Sequence, residues 1–224
     1  HPEFGLPFGI YPRLLSMWIT NEVKLTQNRT ITLGGSYHAF LKELKLHTDG
    51  MTRARFSDQA NRLLMSAISY ERIDANHRSY VDAAVATRYD SWWNVRDPQN
   101  PNREIVVGEM FFEQVMKHAF PLDLRIVNAF KRSPLALDLY AWLTYRYFTV
   151  DKPTQISWAA IYNQFGVNFK SLRMFRYWAG KYLDQIKQVY PAANFQKKVR
   201  HLILLPSRTS IPRTSHRHQM STYR

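Results

Sequence analysis

The 224-residue chain contains no cysteine. That absence removes disulfides, thiolate metal sites and a cysteine nucleophile together, and it fits a reducing compartment. No apolar run approaches the roughly 18 residues that a membrane-spanning helix needs, and no signal-peptide pattern is visible. Acid is scarce: 17 Asp and Glu stand against 31 Lys and Arg, a formal net charge of +14. Glycine is sparse too, at 8 residues. None belongs to a Gly-Lys-Ser/Thr loop that would cradle a nucleotide phosphate, and Gly34-Gly35 reads as a turn. The first residues are His1-Pro2-Glu3-Phe4 rather than Met, so the chain is expected to begin inside a longer reading frame.

Catalytic constellations are equally thin. A metal-dependent nickase needs two histidines on one strand and a nearby tyrosine nucleophile. Of the eight histidines only His216 and His218 lie close together, in a polar, Pro-interrupted carboxyl-terminal stretch. A primase needs clustered carboxylates, and Asp82 with Asp90 has no third partner. The expectation is a protein that is not an enzyme and uses neither a metal nor a cofactor.

What the chain has is a 45% hydrophobic, 14% aromatic composition that can build one large core or two small ones. It also has cationic charge gathered at one end. From residue 170 onward twelve Lys and Arg face one acid, whereas the first 169 residues carry nineteen bases and sixteen acids. Charge so uneven repels itself unless a polyanion uses it, which makes nucleic acid the leading partner. At about 100° per residue, Leu172, Phe175, Trp178, Ala179, Tyr182, Leu183, Ile186 and Val189 share one helical face. Arg173, Arg176, Lys181 and Lys187 take the other, beside Asp184. A basic strand, NFQKKVRHLILLP (194–206), follows at once. Basic helix then basic strand is the order in which a winged helix offers one element to a groove and the next to the flanking backbone.

The chain also repeats itself. Trp18 with Ile19-Thr20 recurs as Trp142 with Leu143-Thr144, and Ile31, Tyr37 and Phe40 recur as Ile156, Tyr162 and Phe165 at the same internal spacing. Each round reads as a long helix, a short strand, a short helix and an amphipathic helix leading into β structure. In the first round the expected elements are a helix starting near Pro12, a strand within 28–35, a helix over 36–46 capped by Ser36, and a third helix over roughly 52–70 that buries Ala67. A hairpin of 81–95 with 103–108 follows, then a helix near 109–119. In the second round Ser133 caps a helix over 133–146, residues 155–158 form a strand and 159–165 a helix. The predicted fold is therefore α+β and mainly helical: tandem winged-helix domains with β-hairpin wings, at 8–120 and 121–206, and a flexible basic tail over 207–224.

Four stretches in order, GLPFGIYPRLL (5–15), ITLGGSYHAFLKELKL (31–46), Gln59-x-x-Arg62-Leu63 and SPLALDLYAWLTYR (133–146), resemble the plasmid-encoded RepA-type replication initiators of bacteria. The likeness departs at His47-Thr48-Asp49-Gly50-Met51, where the family more often has a Thr-Gly-Gly turn. The resemblance implies a cytoplasmic protein, with no membrane partner, that binds repeated double-stranded sites at a plasmid origin, helps to open the duplex and brings in a host helicase or initiator. A winged-helix repressor without initiation activity is the alternative. Arg173 and Arg176 are expected in the major groove, with Lys170 and Lys181 on the same helix and Lys197, Lys198 and Arg200 holding phosphates from the wing. Arg55, Gln59 and Arg62 form the corresponding face of the first domain, with Gln59 reading adenine. Of Trp92 and Trp93, on opposite faces of their strand, one is expected at a protein contact. The 81–108 hairpin is the expected surface for a homodimer. Helical spacing places Trp18, Trp142 and Trp178 in the core rather than on single-stranded DNA.

Overall fold

A computed structural model describes the backbone of residues 5–74, 77–91 and 103–211, and the side chains of those residues other than 70–81. The chain forms two compact units, 1–119 and 120–224.

In the first unit Pro12 sits in the opening turn of helix α1 (Tyr11–Thr26), where its missing N–H costs nothing, and Leu14, Leu15, Ile19 and Val23 turn inward. Strand β1 (Thr30–Thr32) leads to α2 (Tyr37–Glu43), whose cap Ser36 accepts from the Ala39 N–H at 3.2 Å. Gly34 has φ +83, a left-handed conformation that delays the start of this helix. Helix α3 (Gly50–Leu64) is capped by Asp49, which accepts from Thr52 N and Thr52 Oγ1, bonds that lower its pKa.

Strand β2 (Ala67–Asp74) follows and pairs antiparallel with β3 (His77–Ala84). β4 (Ala86–Asp90) and β5 (Glu104–Val107) then form, with β1, a sheet in the order β1-β5-β4. Helix α4 (Glu109–His118) closes the unit. Two expectations fail here. The third helix stops at Leu64, and Ala67 is an exposed strand residue instead of a core one. The single strand expected at 81–95 is divided between β3 and β4 around buried Val85, whose N–H bonds the Ser66 carbonyl. Trp92, Trp93 and the turn at 97–102 lie outside the described residues, as do His216 and His218.

The second unit opens with α5 (Leu124–Phe130), capped by Asp123, where the sequence predicts only a connection. Helix α6 (Pro134–Tyr147) has its Ser133 cap as expected. Strand β6 (Thr154–Ser157), α7 (Trp158–Phe165), α8 (Leu172–Val189), β7 (Phe195–Lys197) and β8 (His201–Leu204) complete it, with strand order β6-β8-β7. The basic segment after α8 is thus a hairpin, not one strand.

Helix, strand, helix, helix, then two strands with the last in the middle of the sheet is the winged-helix arrangement. The first unit follows the same order with the β2–β3 hairpin inserted. Its β4–β5 connection lies outside the described residues, so of the expected pair of wings only the second unit's is described. The repeated residues occupy matching places. Trp18 meets Phe40 edge-on at 4.9 Å between ring centroids, and Trp142 meets Phe165 in the same way at 6.1 Å. Tyr37 packs on Phe56 of α3, and Tyr162 on Phe175 of α8. Such contacts hold each short helix against the one that follows.

The predicted flexible tail is corrected at its start. Ile211 is buried, Tyr190 OH donates to the Arg208 carbonyl at 2.6 Å, and Ser210 Oγ lies 2.9 Å from Tyr140 OH. Residues 207–211 therefore pack against the second unit, with Ile211 buried and Arg208 exposed, and 212–224 lie outside the described residues.

Burial raises the pKa of Tyr140, Tyr147 and Tyr190. Their stabilising effect is whole below the ordinary phenol value of about 10 and is lost as pH climbs from there towards the folded-state values. Tyrosinate absorbance from these three should appear only with alkaline unfolding, and Tyr147→Phe should make the alkaline loss of stability shallower. Ionisation of all tyrosines ahead of unfolding would contradict this packing.

Candidate nucleic-acid interface

Which face of α8 meets water is decided by what the other face buries. Phe175, Ala179, Gly180, Leu183 and Ile186 are buried, with Tyr162 and Phe169 edge-on to Phe175 at 5.6 and 5.5 Å. Ser171 caps the helix, accepting from Met174 N at 3.3 Å. The burial stripe is narrower than the sequence predicts: Leu172, Trp178 and Val189 are exposed at its margins. Directly opposite the stripe stand Tyr177, 65% exposed, and Lys181, with Arg173 and Asp184 beside them.

Lys170 and Arg173 are exposed at the amino end of α8 as expected. Arg176 is exposed as well, but its Nη1 donates to the Val199 carbonyl at 2.7 Å, so it braces the turn between β7 and β8. Trp158 holds the same turn from behind. Its Nε1 donates to the Lys198 carbonyl at 2.9 Å and its backbone N–H to the Arg200 carbonyl at 3.1 Å. With those carbonyls engaged, the Lys198, Val199 and Arg200 side chains project outward, and Val199 at the tip is 77% exposed.

Lys197 departs from expectation. Its ammonium sits 2.5 Å from both oxygens of Asp184 and 3.3 Å from the Gly180 carbonyl, tying the sheet to α8. A cation so neutralised is a poor phosphate clamp. Lys170, Arg173, Lys181, Lys187, Lys198 and Arg200 face no carboxylate among the described residues, and Lys181 and Lys187 lie over the Trp178 and Phe195 rings.

In the first unit the corresponding face is mostly covered. Gln59 is only 4% exposed: its Oε1 accepts from the Phe8 N–H at 2.7 Å, and its Nε2 donates to Asp58 at 2.9 Å. Both ends of the amide are used, so it cannot read adenine in this conformation. Arg62 is half-buried, donates to both Asp58 oxygens and lies 5.6 Å from the Phe8 ring. Residues 5–9 thus lie over the outer side of α3, leaving Arg55 exposed. The charge follows the same division: the second unit has seventeen Lys and Arg against four Asp and no Glu, and the first has fourteen against thirteen.

Among the described residues no group of three or more His, Asp or Glu is placed to hold a metal, and no helix is long and apolar enough to cross a membrane. Sequence reasoning missed Tyr177, Trp178 and Val199. Tyr177 was legible, lying opposite Phe175 and Ala179 on the wheel. Trp178 was not, because the wheel puts it at the edge of the buried stripe.

The family model for plasmid-encoded RepA protein matches residues 6–160. The chain belongs to that family. Among solved structures this RepA-family chain is similar to a crystal structure of RctB domains 2–3, at 12% identity and a TM-score of 0.48, covering 88% of this chain and 79% of that one. No curated protein matches it. The family match spans the first unit and reaches α7, so α8 and the turn beyond it lie outside the matched residues.

Removing the Asp184 charge tests the Lys197 assignment. Asp184→Asn should free Lys197, raise affinity for duplex DNA several-fold at low salt and steepen the salt slope by about one. Adding Lys197→Ala to Asp184→Asn should return both to the values of the unaltered chain, because the neutral pair is then replaced by two neutral side chains. An affinity that falls well below the unaltered chain's in that double variant would contradict the assignment.

Proposed function

We propose that the chain is a plasmid replication initiator that binds repeated double-stranded sites at a plasmid origin, promotes opening of the duplex and recruits host replication proteins. The observation that carries this is the exposed surface of α8 and the Lys198–Arg200 turn, cationic on a unit with only four acids. Arg173 is the residue free to enter the major groove, where a guanidinium pairs with the guanine edge. Lys198 and Arg200 would meet phosphates on the flanking backbone and fix the register without reading sequence. Arg176, in this reading, sets the angle of the turn.

The first unit enters differently. Its α3 offers Arg55, while the Gln59 amide stays closed off by Phe8. Most of the affinity would then come from the second unit. The protein acts as a binder rather than an enzyme, in the bacterial cytoplasm, with double-stranded DNA and a host helicase or initiator as its partners.

Six cations of α8, its approach and the β7–β8 turn face no acid among the described residues, and six neutralised phosphates give a slope of log affinity against log salt near about −5. Arg173→Ala should narrow the gap between origin and unrelated duplex by about tenfold, since a good bidentate base contact contributes about 1–3 kcal/mol of discrimination. Lys198→Ala with Arg200→Ala should weaken both duplexes alike. Titrations of origin and scrambled duplex at several salt concentrations read all three. Unchanged discrimination in Arg173→Ala would reject α8 as the reader. Permanganate reactivity of origin thymines separates an initiator, which opens the duplex, from a repressor, which does not. Supercoiled plasmid with divalent metal should yield no relaxed circles.

A further inference from the structure

On the flank of α8 away from the wing, aromatic rings stand partly open to solvent. Tyr177 and Trp178 meet edge-on at 5.5 Å, and Trp178 lies nearly parallel to Tyr182, 29° between planes at 6.1 Å. The Lys181 ammonium lies over the Trp178 ring at 5.2 Å. Trp178 is 37% exposed, on a helix whose packing is supplied by Phe175, Ala179, Leu183 and Ile186. Exposed rings with Lys181 among them are a combination with a specific use. Bases within a duplex stack on one another and offer only their edges, whereas an unpaired base offers a face to a ring and its phosphate to a nearby cation.

We infer that this flank is a second binding site, for single-stranded nucleic acid, distinct from the wing side that would hold duplex. Tyr182 backs Trp178, Tyr177 stands beside it, and an incoming base takes the position over the ring now held by Lys181. That long side chain swings to the phosphate. A second copy of the chain is a poorer occupant, because the unit carries seventeen cations against four acids and would meet its own charge. The inference extends the proposed function without resting on it: such a site would hold one strand once a duplex has opened.

The test uses the full chain, a labelled oligothymidylate and an origin duplex. Trp178→Leu keeps an apolar side chain but removes the stacking surface, and Trp178→Phe restores a ring. Oligothymidylate affinity should fall about tenfold in Trp178→Leu and stay within about threefold in Trp178→Phe, with duplex affinity within about twofold in both. Circular dichroism and thermal melting confirm that each variant is folded. Loss of stability in the leucine variant leaves the decision to the phenylalanine variant together with Lys181→Gln, which should weaken oligothymidylate binding and lower its salt slope. The inference is overturned if the unaltered chain does not bind oligothymidylate or if Trp178→Leu binds it as tightly. Equal losses on strand and duplex, or a dimer that Trp178→Leu separates, overturn it too. Loss on the strand alone from a chain that shows no preference for origin duplex would sustain the inference and reject the proposed function.

Discussion

Everything outward on α8 is fixed by what it buries. Phe175 lies between the edges of Tyr162 and Phe169, and Ala179, Leu183 and Ile186 continue the same stripe inward. A helix anchored along one stripe has no rotational freedom, so Arg173, Tyr177 and Lys181 must face water. The turn beyond β7 is fixed from both sides, by Arg176 in front and Trp158 behind. Helix and turn therefore form one preorganised surface, and a polyanion docking on it would meet side chains with little backbone left to order.

The two units use one frame for different surfaces. Both press a tryptophan of the long helix against a phenylalanine of the short one, and both place the last strand in the middle of a three-stranded sheet. They diverge on the helix that follows. In the first unit residues 5–9 lie over α3 and occupy the Oε1 of Gln59 while Asp58 takes its Nε2, whereas in the second the equivalent side of α8 is open. Charge divides in the same way, nearly balanced in the first unit and strongly cationic in the second. Similar packing inside each unit leaves their exteriors free to differ, because what a fold does is decided by the surface built on it.

Much of the frame was legible in the sequence because it is written in local chemistry. Ser36 and Ser133 announce their helices as caps, Pro12 fits a first turn, and the equal spacing of Ile31, Tyr37 and Phe40 with Ile156, Tyr162 and Phe165 reports the repeat. The failures share a cause. Gln59 shares the polar face of α3 by spacing, but a backbone N–H from a residue 51 positions earlier covers it. Lys197 reads as a wing cation until Asp184, thirteen residues before it, is brought against it. Ala67 has a helix former's propensity, yet pairing with Ala84 makes it a strand. Periodicity ranks the faces of one element and is blind to what another element places on them.

Because the chain has no cysteine, a single one can be introduced and carry a cleavage reagent without ambiguity. An iron chelate coupled at Met174→Cys, exposed beside Arg173, on the full chain bound to the plasmid's own origin, would cut the DNA wherever the amino end of α8 lies. The account predicts cuts at one fixed position within every repeat, on bases lining the major groove, and weaker cutting from the same reagent at Met51→Cys, exposed on α3. Diffuse cutting from position 174, or stronger focused cutting from position 51 instead, would contradict it.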